Sequence, residues 1–251
     1  MIVHGLFGAA TNWRTVARLL APRTEVHLLD LRNHGRSPHS EDMSYGAMMG
    51  DLAEYMDSAG LESPSLLGHS LGGKLAMHFA LAFPGRIARL VVADISPVGR
   101  GGSQRDIIAA MHAEDLAGAS SRKQVAESLA NTLGDPSTAT FLATNLVRQP
   151  AGGFAWRVNL DAIDRGYDAL CAPIEPEKEA GGKTSGTSDV AALFLRGGES
   201  SYVPDSHLPA IRRLFPNADI TTVKGATHWL HSDRPQEFAR AVLAFLGPNP
   251  R

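Results

Sequence analysis

Gly68-His69-Ser70-Leu71-Gly72 is a G-x-S-x-G pentapeptide, and its two flanks restrict what this chain folds into. Ser65-Leu66-Leu67 before it is short and apolar and predicts the end of a buried strand. Residues 73–82 after it predict a helix. A serine on a sharp turn from strand to helix holds its hydroxyl out of the sheet, where a substrate reaches it. Side chains at the flanking glycines would collide with the strand and helix packed beside the turn. The pentapeptide alone arises by chance. A strand before it and a helix after it make it a nucleophile elbow.

Strands alternate with helices along most of the chain. Strands are predicted at residues 25–30, 65–67, 86–93, 191–196 and 219–223. Residues 45–59 carry Met48, Leu52, Tyr55 and Met56 at helical spacing, and Gly60 is placed to end that helix. Residues 235–246 predict the last helix. Apolar strands separated by helices predict an α/β fold: a mostly parallel sheet with helices on both faces. Catalytic groups in such sheets sit on loops at the carboxyl ends of the strands. Met1-Ile2-Val3-His4-Gly5 reads as a core strand running straight into a loop, with nothing before it. The first strands of the fold are therefore expected to be missing from this chain, along with any targeting segment.

Residues 97–190 break the rhythm. They hold helical patches, such as 104–111 and 122–133, but no convincing core strand. Residues 1–97 and 191–251 are read as the core, and 98–190 as an inserted helical lid. Within the lid, residues 173–188 are polar and predict a mobile loop.

Composition bounds the rest. At 251 residues, 43% hydrophobic and 20% charged, one domain with an insertion fits best. A net charge of -2 offers no field for nucleic acid and no polybasic anchor for a membrane. No apolar run is long enough to span a bilayer. The single cysteine, Cys171, rules out an internal disulfide framework and favours a reducing, intracellular compartment.

A serine hydroxyl needs a base to remove its proton. In serine hydrolases built on an elbow of this kind, the chain order is serine, acid, histidine. His228 follows the last predicted strand, in Gly225-Ala226-Thr227-His228-Trp229, and is preferred over its rival His231. His69, inside the elbow, should point away from the hydroxyl. His34, His69, His78 and His231 are read as packing or capping residues. Asp94 ends the strand after the elbow and is preferred as the acid over Glu199 and Asp205. Ser201 stands where an aspartate is common in the later loop, and Asp205 reads as a helix cap. The acid's role is to hold the histidine tautomer and stabilise the imidazolium. Two backbone amides should form the oxyanion hole. They are expected at Leu71, after the nucleophile, and at Leu6 in the loop at residues 4–8, with Phe7 as second choice. Met43, Met48, Met49, Met111 and Trp156 are candidates to line an acyl pocket, with core packing the preferred role.

His4-Gly5-Leu6-Phe7-Gly8, Asp30-Leu31-Arg32-Asn33-His34-Gly35-Arg36-Ser37-Pro38, residues 68–74 and Asp94-Ile95-Ser96-Pro97 carry a resemblance. Trp156-Arg157-Val158-Asn159-Leu160 and residues 225–231 extend it over nearly the whole chain. The sequence resembles the alpha/beta-hydrolase domain-containing protein 11 family and the related bacterial short-chain acyl esterases and thioesterases. The resemblance implies an alpha/beta-hydrolase fold and ester or thioester hydrolysis by serine, histidine and aspartate, with the aspartate at Asp94. It implies no metal and no organic cofactor. Two departures are the absent first strands and a polar stretch at 173–188 longer than the family norm. Animal members are mitochondrial and linked to lipoylated dehydrogenase complexes, so cytoplasm or mitochondrial matrix is the expected location. That partner role is not carried over.

The expected function is a serine hydrolase acting on short acyl esters or thioesters through an acyl-enzyme. The rivals on the same triad are a cofactor-free haloperoxidase and a carbon–carbon bond hydrolase. Dehalogenases and epoxide hydrolases on this scaffold use an aspartate nucleophile, and Ser70 argues against both. The non-enzyme rival is a ligand receptor or protein-protecting partner on a hydrolase scaffold.

Overall fold

The computed structural model describes residues 1–100, 104–175 and 186–247. In chain order the core begins with β1 (Ile2–Val3), α1 (Arg14–Leu20), β2 (Leu28–Leu29), α2 (Tyr45–Ser58), β3 (Leu66–His69), α3 (Leu71–Ala82) and β4 (Arg89–Ala93). The insertion holds α4 (Arg105–Ala113), α5 (Arg122–Leu133), α6 (Pro136–Ala143), β5 (Leu146–Arg148), β6 (Phe154–Trp156) and α7 (Leu160–Cys171). The core resumes with β7 (Ala191–Gly197), α8 (Leu208–Leu214), β8 (Ala218–Val223), α9 (Leu230–Asp233) and α10 (Pro235–Leu246).

Six strands form one parallel sheet in the order β2-β1-β3-β4-β7-β8. The opening strand β1 is interior, and both of its neighbours come later in the chain. Side-chain alternation along the strands divides the core in two. Leu67, Val91, Ala93, Leu193 and Leu195 face α1 and α10 with Trp13, Leu20 and Phe238. Leu66, Leu90, Val92, Ala192 and Phe194 face the opposite way and join α2, α3 and the insertion. Both faces are therefore covered, as the near-continuous apolar strands require.

The helices begin and end where local chemistry directs. The Ser44 hydroxyl accepts the Ala47 N–H to start α2, whose buried face is Met48, Leu52 and Met56. Ser121 caps α5 in the same way, and Gly134 ends that helix in the left-handed conformation.

The predicted strand at 25–30 shrinks to Leu28–Leu29. It is an edge strand pairing with β1, which is itself two residues long. The insertion also holds an antiparallel pair, β5 with β6, that the sequence reading missed. That pair forms its own two-stranded sheet.

The expected mobile loop at 173–188 is corrected at its ends. Ile174 is buried, and its N–H donates to the Pro97 carbonyl at 2.8 Å. Ser188 is buried, and its N–H donates to the Leu214 carbonyl at 2.8 Å. The middle of that stretch lies outside the described residues. No helix among the described residues is long and apolar enough to cross a membrane.

Candidate active site

Ser70 joins β3 to α3 at φ 51° and ψ -117°, a left-handed conformation that non-glycine residues seldom adopt. The glycines around it have steric reasons. A Cβ on Gly68 would lie 2.1 Å from the Gly72 carbonyl oxygen. One on Gly72 would lie 2.6 Å from the carbonyl oxygens of both Val3 and His4. The elbow closes only because β3, α3 and the loop after β1 approach each other through bare backbone.

Asp94 follows β4, the neighbour of β3, and is also left-handed at φ 49°. Its side chain is fully buried and fully engaged. Oδ1 accepts the Gly197 N–H at 2.8 Å. Oδ2 accepts the Ser200 hydroxyl and, at 2.8 Å, His228 Nδ1–H. With Nδ1 donating to the carboxylate, Nε2 is left as the free acceptor.

Ser70 and His228 line one cleft, together with Leu6, Gln104, Phe141 and Tyr202. Among the described residues no hydrogen bond joins Ser70 to His228. Such bonds are often long before substrate arrives and tighten in the complex. A second, narrow opening runs from Ser70 past Lys74, Ile95 and Leu170.

The rival acids lie elsewhere. Asp205 is exposed and paired with Arg196 at 2.6 Å, not capping a helix through its side chain. Glu199 is exposed, and its N–H donates to the Ala226 carbonyl. The residue of this later loop whose side chain reaches the acid is Ser200.

The rival histidine is also accounted for. His231 is buried and stacked on Trp13 at 4.1 Å between centroids. Burial pushes its pKa down to about 3, so it is neutral at physiological pH. His69 is buried within the elbow, and its Nε2–H donates to the His228 carbonyl at 2.9 Å. Burial holds its pKa well below the ordinary histidine value, so the elbow and the loop of the base are joined by a neutral imidazole.

The loop after β1 is shaped by two further buried histidines. His4 Nδ1–H donates to the Gly5 carbonyl while Nε2 accepts the Leu31 N–H. His34 Nδ1–H donates to the Arg32 carbonyl while Nε2 accepts the Phe7 N–H at 3.1 Å. Burial depresses both pKa values, that of His34 to about 3, which keeps one nitrogen of each as an acceptor. The second-choice oxyanion donor is therefore corrected: the Phe7 amide is already committed to His34. Among the described residues no acceptor engages the amides of Leu6 or Leu71.

The lid meets this frame through a few long-range contacts. Asn145 Nδ2–H donates to the Phe7 carbonyl at 2.7 Å. Asn159, which caps α7, donates through Nδ2–H to Asn33 Oδ1 at 3.1 Å. Phe141 packs on Trp229 at 4.4 Å between centroids. Lys74, only 3% exposed, donates through Nζ to the Ala172 carbonyl at 2.5 Å and the Cys171 carbonyl at 3.3 Å. Burial lowers its pKa to about 8. Met43, Met48 and Met111 are buried in the main core, and Met49 and Trp156 pack against it. None of the five lines the two openings at Ser70. His78 packs on Tyr45 at 4.4 Å between centroids. Among the described residues no three His, Cys, Asp or Glu side chains converge to hold a metal ion.

The sequence reading missed Ser200 on the acid, Tyr202 against His228 and His4 under the loop, and it read His34 and His69 as packing or capping residues without their partners. Only the two histidines of the loop carried a local signal, since each lies inside a motif that supports the family resemblance.

Comparison with known proteins identifies the family. A family profile described as alpha/beta hydrolase fold matches residues 1–235. The chain is 43% identical to the sn-1-specific diacylglycerol lipase ABHD11 of Mus musculus over 254 residues, covering 98% of this chain and 80% of the relative. It is 32% identical to esterase YbfF of Escherichia coli, covering 98% and 92% of the two chains. Among solved structures, a marine microorganism esterase superposes with a TM-score of 0.91 at 37% identity, covering 97% and 93% of the two chains.

Proposed function

Because this chain belongs to the alpha/beta hydrolase fold family, we propose that it hydrolyses short-chain carboxylic esters or acyl thioesters through an acyl-enzyme on Ser70. The observation that carries the reading is the buried Asp94–His228 pair at 2.8 Å, sharing one cleft with a left-handed serine. The esterases and lipases among its relatives support the same class of reaction.

In this mechanism Ser70 Oγ attacks the substrate carbonyl while His228 Nε2 takes the hydroxyl proton. Asp94 holds the imidazole through Nδ1 and stabilises the imidazolium as it forms. The N–H groups of Leu6 and Leu71 receive the charge that develops on the carbonyl oxygen. The imidazolium then passes its proton to the departing alkoxide or thiolate, leaving an ester on Ser70. Water, deprotonated by His228, attacks that ester. The carboxylic acid leaves and Ser70 regains its proton. The narrow opening beside Lys74, walled by Leu6, Leu71, Ile95 and Leu170, offers apolar contacts to a short acyl chain.

The test is Ser70→Ala assayed with p-nitrophenyl butyrate, with turnover expected to fall about 10⁴- to 10⁶-fold while the fold persists. A variant that keeps most of its activity overturns the reading. A panel of acyl p-nitrophenyl esters and acyl-CoA thioesters assigns chain length and leaving group. Turnover over many equivalents of enzyme separates catalysis from a receptor that binds ligand on the same scaffold.

A further inference from the structure

His228 is held at its edge by Asp94 and on one face by an aromatic ring. Tyr202 stacks on the imidazole with centroids 3.6 Å apart and planes 16° apart. The guanidinium carbon of Arg100 also lies 3.6 Å from the centre of the Tyr202 ring. Two groups at that spacing cannot share one face of a phenyl ring, so the cation covers the face turned away from the histidine. The result is a stack of guanidinium, phenol and imidazole.

The three layers come from three parts of the chain. Arg100 follows the acid loop, Tyr202 follows β7, and His228 follows β8. Arg100 is also tied to the lid, because its N–H donates at 3.0 Å to the carbonyl of Cys171, the last residue of α7. Tyr202 and Gln104 line both openings at Ser70. Its N–H donates to Ser200 Oγ, the hydroxyl that bonds Asp94. Ring and acid are thus linked through one serine.

Resting on the triad reading above, we propose that Tyr202 and Arg100 are positioning residues for the base. Tyr202 fixes the imidazole in the rotation where Nδ1 meets Asp94 and Nε2 serves Ser70, and Arg100 clamps the ring from behind. An imidazole bonded at Nδ1 alone still pivots about that bond. A ring lying flat on its face removes the pivot, and a cation on the ring's other face holds the ring.

The charge pattern has a measurable consequence. The groups that face His228 are Asp94, Tyr202, His69 and His231, with Arg100 behind Tyr202. Burial keeps His69 and His231 neutral. Burial also raises the Tyr202 phenol above its usual range, so it too is neutral. Arg100 is then the one cation of this set, opposed by Asp94. Its repulsion already contributes to lowering the pKa values of Lys74 and His207.

The test compares Tyr202→Leu, Tyr202→Phe, Arg100→Met and Arg100→Lys on p-nitrophenyl butyrate. Tyr202→Leu should lower kcat roughly 10- to 100-fold and change KM by less than about three-fold. Tyr202→Phe keeps the ring and should restore most of the loss. In proton NMR the downfield Nδ1–H signal of His228 should be sharp in the wild type and broadened in Tyr202→Leu. Arg100→Met removes a like charge and should move the acid limb of kcat/KM up by about half a pH unit, while Arg100→Lys moves it less. A purely structural role predicts no movement of that limb.

If Tyr202→Leu keeps its kcat and its sharp signal, the proposal is wrong. Identical acid limbs in wild type and Arg100→Met also overturn the part assigned to Arg100. If Tyr202→Leu does not fold, the Arg100 pair and the Phe variant carry the decision through the limb and the signal. Turnover that survives Ser70→Ala would remove the triad reading instead. Ser70-dependent turnover indifferent to ring and cation removes only this inference.

Discussion

The carboxyl end of the sheet and the lid above it are built in opposite ways. Among the described residues, the non-glycine residues with positive φ are Phe7, Asn33, Ser70 and Asp94. All four lie on loops where parallel strands end beneath the cleft. Each such conformation costs about 1–3 kcal/mol and persists only where the surroundings over-determine it. The insertion meets the core through side chains, namely the Asn145 and Asn159 amides, the Phe141 ring and the carbonyls that Lys74 reaches, and through scattered backbone bonds such as those of Asn159 to Asn33 and Ile174 to Pro97. The loops at the strand ends are therefore strained backbone locked by hydrogen bonds. The insertion is joined to them by contacts between residues about 90 or more positions apart.

The sharpest way to break that contrast is at the acid. Asp94→Asn keeps the size of the side chain but gives His228 Nδ1 an ambiguous partner, and turnover should fall by about 10⁴-fold. Asp205→Asn loses only an exposed ion pair and should stay within about two-fold of the wild type. Initial rates with p-nitrophenyl butyrate across pH 6–9 (a range of about three units) separate the two. The reverse ranking would move the acid to the loop after β7 and dissolve the link between strain and chemistry.

The same contrast explains what was legible in the sequence. Ser70, Asp94 and His228 each follow a parallel strand, so a strand pattern and a turn residue located them. The loop at residues 4–8 was picked out with Leu6 first and Phe7 second, but nothing local showed that the Phe7 amide is committed to His34 Nε2. Ser200 was hidden by its register: one residue decides which serine of Ser200-Ser201 reaches Asp94, and irregular loops carry no period. His69 was read as a packing residue, and it is buried. Its bond to the His228 carbonyl spans 159 positions and leaves no local mark. In the lid, β5 and β6 are three residues each, too short for alternation to show. Lys74 sits in the elbow helix, where an apolar face conceals that its ammonium leaves the core for the lid.

A smaller effect should come from cutting the lid's hold on the oxyanion loop. Asn145 is buried, and its amide supplies the Phe7 carbonyl with a donor at 2.7 Å. Asn145→Ala leaves that carbonyl buried without the donor, a cost of about 1–3 kcal/mol. The loop that carries the Leu6 amide then has one anchor fewer, and kcat should fall about ten-fold. Urea denaturation and kcat measured on the same preparation check both halves. Lost stability with unchanged kcat would mean that the lid supports the loop without aligning it.

The smallest effect is expected at Lys74, and it is visible only through pH. Its pKa is lowered from 10.5 to about 8 in the folded protein, because burial disfavours the ammonium. Below about pH 8 both folded and unfolded chains hold the proton, and the burial penalty is constant. Between about pH 8 and 10.5 the unfolded chain holds more of the proton than the folded one, so the contribution of this residue to stability rises with pH. The urea midpoint of the wild type, measured against Lys74→Met, should therefore climb from about pH 7.5 to about pH 9.5. A difference flat across that window would mean that the ammonium is solvated, and that the insertion is held against the core by its other contacts.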